Sequence, residues 1–241
     1  MTRLGLLLVF VVLGAAPSFA QGNYMTPMTN LFIEQSRQNL LLFNNQFNMS
    51  MANSMLARNA RRAGSALPRN DSTTATVFIP SSGTIAPQRL AARYGKTVED
   101  KKTLTGIGDR LLQLYESSLK PGVPKHDLAH ALAFSLTMSY LVYSDGKARL
   151  TEGQSDGVVK ILRAFILAYP PFERMIDRDK QEAYETLAIL GAFTSVTYDE
   201  ARKKNDTKLM AGLRSMAQNH IEEILGPLNS IVMTKDGFAY K

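Results

Sequence analysis

From Pro87 to the C-terminus the chain is a run of apolar residues spaced by three and four, cut at short intervals by residues that cannot continue a helix. No other feature limits the fold as strongly, because side chains so spaced lie along one side of a helix and must be covered. A short opening turn, Gln88 to Tyr94, ends at Gly95. The next helix starts near Thr97, carries Leu104, Ile107, Leu111, Leu114 and Tyr115 inward, and stops at Pro121 and Gly122. Asp127 then caps a helix with Leu128, Leu132, Leu136 and Val142 near one face, ending at Asp145 and Gly146. Thr151 and Gln154 have the spacing of a capping box before Val158, Ile161, Leu162 and Phe165, and Pro170 and Pro171 break that helix. Asp177 or Asp179 opens a helix with Tyr184, Leu187, Leu190 and Thr194 as its stripe. Asn205 or Asp206 opens the last one, which runs to Gly226 and Pro227.

Short loops between amphipathic helices predict an all-α fold: a single antiparallel helical bundle-like domain of five to six helices over residues 87–241. The tail adds one β-like run, Ile231 to Met233, and a turn at Asp236 and Gly237, which suits a strand laid on the bundle. Residues 64–86, rich in Ser, Thr and Pro, read as a linker whose one β-like run, Thr74 to Ile79, could dock in extended form. Residues 21–63 form an Asn-rich extension. Within it, Asn30 to Ala63 carries Leu40, Phe43, Phe47, Met51 and Met55 along one helical side, closed by the basic cluster Arg58, Arg61, Arg62 before Gly64. An amphipathic helix with so many indifferent helix formers needs a partner surface to cover its stripe.

Residues 1–20 follow the logic of a cleavable signal peptide: the cation Arg3, an apolar run from Leu4 to Leu13, and a small-residue exit at Ala15, Ala16, Ser18 and Ala20. Cleavage is expected after Ala20, which places the mature protein in the periplasm or outside the cell. No later stretch has the length and apolarity of a transmembrane span. There is no cysteine, so stability has to come from packing, and lipid attachment through a cysteine is excluded. The formal charge of +7 is concentrated toward the N-terminal third. Basic residues there lack the interleaved aromatics of a nucleic-acid surface, so no nucleic acid is expected as partner.

One pattern echoes catalysis. His126-Asp127-Leu128-Ala129-His130 resembles the H-E-x-x-H arrangement, in which two His one turn apart bind zinc and a carboxylate serves as general base. Two physical points weaken the echo. Asp is a methylene shorter than Glu, and with Asp127 as N-cap, His126 lies outside the helical turn and need not share a face with His130. The remaining histidine, His220, sits beside the stripe of the last helix, so His126, His130 and His220 are the candidate metal ligands only if the fold gathers them. No G-x-S-x-G elbow and no phosphate-cradling glycine loop is present, and no catalytic residue or cofactor is assigned. Tyr115, Tyr140, Tyr143, Tyr184 and Tyr198 fall near inner faces and would line a pocket only if they converge.

The order of certain landmarks is familiar. Leu90 to Tyr94, Leu111 to Tyr115, Asp127-Leu128-Ala129 with Ala131-Leu132-Ala133, Tyr140, Leu162-Arg163, Pro171-Phe172, Lys180-Gln181 with Tyr184-Glu185, Leu187 to Gly191, and Leu213 to Ala217 together resemble a family of bacterial secreted proteins known only as a domain of unknown function. The resemblance covers about Pro87 to Tyr240 and implies a bacterial exported helical protein, with no activity or site attached. The functional expectation is therefore a non-enzymatic exported domain that binds a protein or cell-envelope component through Asn30 to Ala63. The alternative is a zinc-dependent hydrolase centred on His126 and His130.

Overall fold

Four of the helices begin where the N-cap side chain satisfies the amide groups that a helix start leaves open, at Thr97, Asp127, Thr151 and Asp206; the helix expected to open at Asp177 or Asp179 instead follows Ile176, which offers no such bond, and has both acids in its first turn. The computed structural model describes residues 69–168 and 170–241; the expected signal peptide and the expected amphipathic helix of Asn30 to Ala63 lie outside the described residues. Helix α1 spans Ala86–Tyr94 and α2 spans Val98–Ser118. At Thr97 the hydroxyl accepts the Asp100 amide and the Asp100 carboxylate accepts the Thr97 amide, both at 3.0 Å. Helix α3, Leu128–Tyr143, starts at Asp127, and α4, Glu152–Leu167, starts at the Thr151–Gln154 capping box expected from the sequence. The prolines that break α4 open a five-residue helix α5, Pro170–Arg174, consistent with proline's tolerance in a first helical turn. Helix α6 covers Asp177–Lys203, and α7, Thr207–Leu225, is capped by Asp206 and ends at Gly226, whose φ of 83° is open to glycine at little cost.

The all-α expectation is met by these seven helices, with a two-stranded hairpin as the only sheet among the described residues. Its strands, β1 (Ile231–Thr234) and β2 (Gly237–Tyr240), pair antiparallel with Thr234 opposite Gly237. Gly157 of α4 lets the hairpin turn come close, since a Cβ there would lie 2.0 Å from the Asp236 carbonyl oxygen. Phe238 seals the junction edge-on to Tyr140, with ring centres 5.6 Å apart.

Helix α3 is buried around most of its circumference: Leu128, Ala129, Ala131, Leu132, Ala133, Leu136 and Val142 are all in the core. Its main neighbour is α6. Gly191 makes the approach possible, because a Cβ at that position would meet the Phe134 ring at 2.7 Å and the Ser135 Cα at 3.0 Å. Contacts along the pair give its direction: His126 with Tyr184, Phe134 with Gly191, and Asp145 with Tyr198. Thus α3 and α6 run the same way. Helix α7 runs against α3, with His220 on Ser135 and Arg214 on Asp145. Two parallel helices place their positive ends together and their negative ends together. At the positive end stand Asp127, the N-cap of α3, and Asp177 and Asp179 in the first turn of α6. Among the described residues no helix is long and apolar enough to cross a membrane.

The stretch read as a linker is attached to this domain over its described part. The Asn70 amide donates to the Lys160 carbonyl at 3.1 Å. Val77 bridges Asp127, the Phe78 amide donates to the His126 carbonyl, and the Leu128 amide donates to the Thr76 carbonyl, the last two at 3.1 Å. Thr76 and Phe78 are buried. Residues 69–85 therefore form a strap across the bundle; it docks as the Thr74 to Ile79 run allowed, but a turn in which the Val77 amide donates to the Thr74 carbonyl at 3.0 Å interrupts that run, and only the part from Val77 lies in extended form.

Candidate functional site

The strap crosses the positive end of the α3–α6 pair, and the densest group of buried polar side chains lies beneath it. Asp127 sits at the centre, fully buried. Its Oδ1 accepts the Ala129 amide at 2.9 Å, the helix-capping bond, and the Thr76 hydroxyl at 2.5 Å. Its Oδ2 accepts Arg163 Nη2 at 2.7 Å and faces His130 Nδ1 at 2.8 Å, which carries the proton toward a carboxylate. Arg163 is itself buried and also reaches the Thr76 hydroxyl at 3.3 Å. Burial opposes ionisation of Asp127, but hydrogen bonds from His130 and Thr76, the His130 charge and the Arg163 bond outweigh it and hold the carboxyl at about 2.

A second polar pair fixes the other half of the strap. Gln181 and Glu185, one turn apart on α6 and both buried, bond to each other at 2.7 Å. The Gln181 side-chain oxygen accepts from Ser81 and its amide donates to the Gly83 carbonyl. Glu185 Oε2 accepts the Ile85 and Ala86 amides at 2.6 and 2.7 Å. These amides belong to the start of α1, whose N-cap Ile85 has no side chain to offer. A carboxylate from α6 thus caps α1 from outside, which suits both the open amides and the positive helix end.

The histidines are dispersed by these arrangements. His126 has a φ of 58° and lies before the helix; its ring rests between Phe78 and Tyr184, with centres at 5.6 and 5.8 Å. His130 is turned to Asp127. His220 bonds Ser135 through Nε2 at 2.8 Å, further along α3. Among the described residues no three His, Cys, Asp or Glu side chains are grouped to hold a metal ion. The sequence held no local signature for the Ser135–His220 pair. Both residues are sealed from solvent, at 0% and 1% exposed, and His220 Nδ1 has no hydrogen-bond partner. Burial pushes the imidazole down to about 4, so it is neutral at pH 7. As placed, this Ser–His contact is a core hydrogen bond joining α3 to α7, with no route for a substrate to the hydroxyl.

The tyrosines also part company. Tyr115 and Tyr184 meet edge-on at 5.7 Å within a cluster that includes Phe78 and Phe134, and the Tyr184 hydroxyl donates to Glu116 at 3.2 Å. Tyr140 packs on the hairpin, Tyr198 bonds Asp145 at the far end, and Tyr143 is exposed. They line no common pocket.

The model of a family described as "Family of unknown function (DUF6683)" matches residues 1–239. The chain belongs to that family. No curated protein and no solved structure matches it. In this family member, several residues through which the resemblance was read are the strap's anchors: Asp127, Arg163, Gln181 and Glu185. Sequence reasoning identified Asp127 as a cap and overlooked what else it holds. The only available signal was the presence of Arg163, Gln181 and Glu185 on helical faces otherwise destined for the core.

Proposed function

We propose that the protein is an exported, non-enzymatic helical domain that binds a protein or cell-envelope component through its Asn30 to Ala63 segment. The observation that carries this reading is the strap. The buried polar groups around Asp127 and Glu185 are committed to pinning residues 76–86, and the start of the strap is tied to the domain as well, with Asn70 on Lys160 and Arg69 near Asp236. An anchored strap helps binding, since a segment held by a rigid scaffold loses less freedom when it docks. The apolar stripe of Leu40, Phe43, Phe47, Met51 and Met55 offers the helix-in-groove type of contact. The signal peptide supplies the location, periplasmic or secreted. The test compares crosslinked complexes of the mature chain with those of a chain lacking residues 21–63. Loss of the complexes with an unchanged thermal transition is expected; a deleted chain that keeps every complex overturns the reading.

One observation favours the zinc-hydrolase alternative: His130 is oriented by a carboxylate, as metal-binding histidines commonly are. Metal analysis of the purified protein decides it, with stoichiometric zinc and loss of stability in chelator as the supporting result.

A further inference from the structure

The parallel α3–α6 pair has a second consequence at its negative end. Two helix C-termini there carry about half a negative charge each. The 144–150 loop that follows α3 contributes Lys147 and Arg149; the end of α6 contributes Arg202, Lys203 and Lys204; α7 contributes Lys208 and Arg214. These segments are held together, because Asp145 bonds both Arg214 of α7 and Tyr198 of α6, and a Cβ on Gly146 would lie 3.4 Å from the Arg202 guanidinium.

The acids of this end are largely committed. Asp145 is taken by Tyr198 and Arg214, Glu200 by Lys203 at 2.8 Å, and Asp206 by the α7 cap; Asp199, half-buried on α6 and near Arg202 and Lys203, makes no ion pair among the described residues. Lys147, Arg202, Lys204 and Lys208 remain exposed and make no ion pair among the described residues. The two helix ends account for about one of these four charges, so helix-end complementation does not explain the array. Tyr143, 39% exposed, stands at the end of α3 beside it.

We infer that this end of the domain docks on an anionic lipid surface, the four free cations meeting phosphate headgroups. The inference rests on the exported, envelope-binding reading and names the component. A lipid surface is favoured over a single soluble anion because the cations are spread over three segments without a buried cradle. A diffuse array matches a charged plane. The Tyr143 ring, with an apolar body and a polar tip, suits the headgroup layer.

The test is flotation of the full mature chain, Gln21 to Lys241, with vesicles of phosphatidylcholine alone or mixed with phosphatidylglycerol. Binding is expected only to the anionic vesicles and should weaken as salt rises. Each cation near such a surface contributes about 5-fold in partition, so Lys147→Gln, Arg202→Gln, Lys204→Gln and Lys208→Gln together should reduce it by more than about 100-fold. A control with the same net charge, Lys96→Gln, Lys101→Gln, Lys102→Gln and Lys125→Gln, should retain most of the binding. The inference is overturned by any of three results: no binding at low salt, equal loss in both variants, or loss only in an Arg58→Gln, Arg61→Gln, Arg62→Gln chain. Because the extension is intact in both lysine-rich variants, this outcome is separate from that of the 21–63 deletion.

Discussion

Replacing Asp127 by alanine removes at once the acceptor for Thr76, Ala129, Arg163 and His130. The largest consequence falls on Arg163, whose side chain is 4% exposed and would keep its charge with no counterion. Removing one partner of such a pair costs about 3–5 kcal/mol. Loss of the helix cap adds about 1 kcal/mol. Because the two losses share a residue, the expected total is about 4–5 kcal/mol, against a whole-domain stability of about 5–15 kcal/mol. Urea unfolding followed by circular dichroism should show the midpoint falling by about 1.5–2 M at an unchanged slope of about 2–3 kcal/mol per molar. Arg163→Met on the Asp127→Ala background should recover part of the loss, because no buried charge is then left unpaired. The reasoning is refuted if Asp127→Ala costs less than about 1 kcal/mol, or if the two substitutions simply add. Acid should reproduce the effect. A carboxyl held at about 2 when folded, below its unfolded value near 4, lends stability that is complete above pH 4 and lost as pH falls toward 2, about 2–3 kcal/mol in all.

His220 acts in a higher window. Its folded value near 4 lies below the ordinary 6.5, so the unfolded chain takes up the proton first and stability should fall by about 3 kcal/mol between pH 6.5 and 4; a His220→Gln chain measured by chemical unfolding should lose that slope. Gly157→Ala would set a methyl 2.0 Å from the Asp236 carbonyl, and the hairpin must move, at a cost of about 1–3 kcal/mol read by thermal unfolding. A wild-type melting temperature in that variant would contradict the packing. Glu185→Ala leaves the Ile85 and Ala86 amides without their acceptor, so limited proteolysis should cut within 79–86 sooner than in the parent chain. Equal cleavage rates would show that Glu185 does not hold the strap.

The helix starts were legible because their signals are local. Thr97, Asp127, Thr151 with Gln154, and Asp206 each act on amides two or three residues away, and each caps where its sequence context placed it. The tail was legible in part for the same reason, through its β-like run and its Asp236-Gly237 turn, but the second strand, Gly237–Tyr240, which makes it a hairpin, was not. The strap was legible only as a possibility. Thr76 and Phe78 are core residues inside a stretch whose composition is that of a linker, and what draws them down lies elsewhere: Asp127 is 51 residues from Thr76, and Glu185 is 99 from Ala86. A polar residue on an inward helical face announces that it needs a partner and gives no hint of which one. The same limit applied to His220, whose partner Ser135 is 85 residues away, and to the direction of α3 against α6, which depends on the intervening path through α4 and α5.

The polar groups around Asp127 and Glu185 make residues 76–86 part of the folded domain. Amide hydrogen exchange tests this most directly at the amides of Phe78, Ile85, Ala86 and Leu128, which bond across the strap. They are expected to exchange as slowly as those of Leu136 and Leu190 in the core helices, opening only with the whole domain. Fast exchange at all four while the core helices stay protected would contradict it.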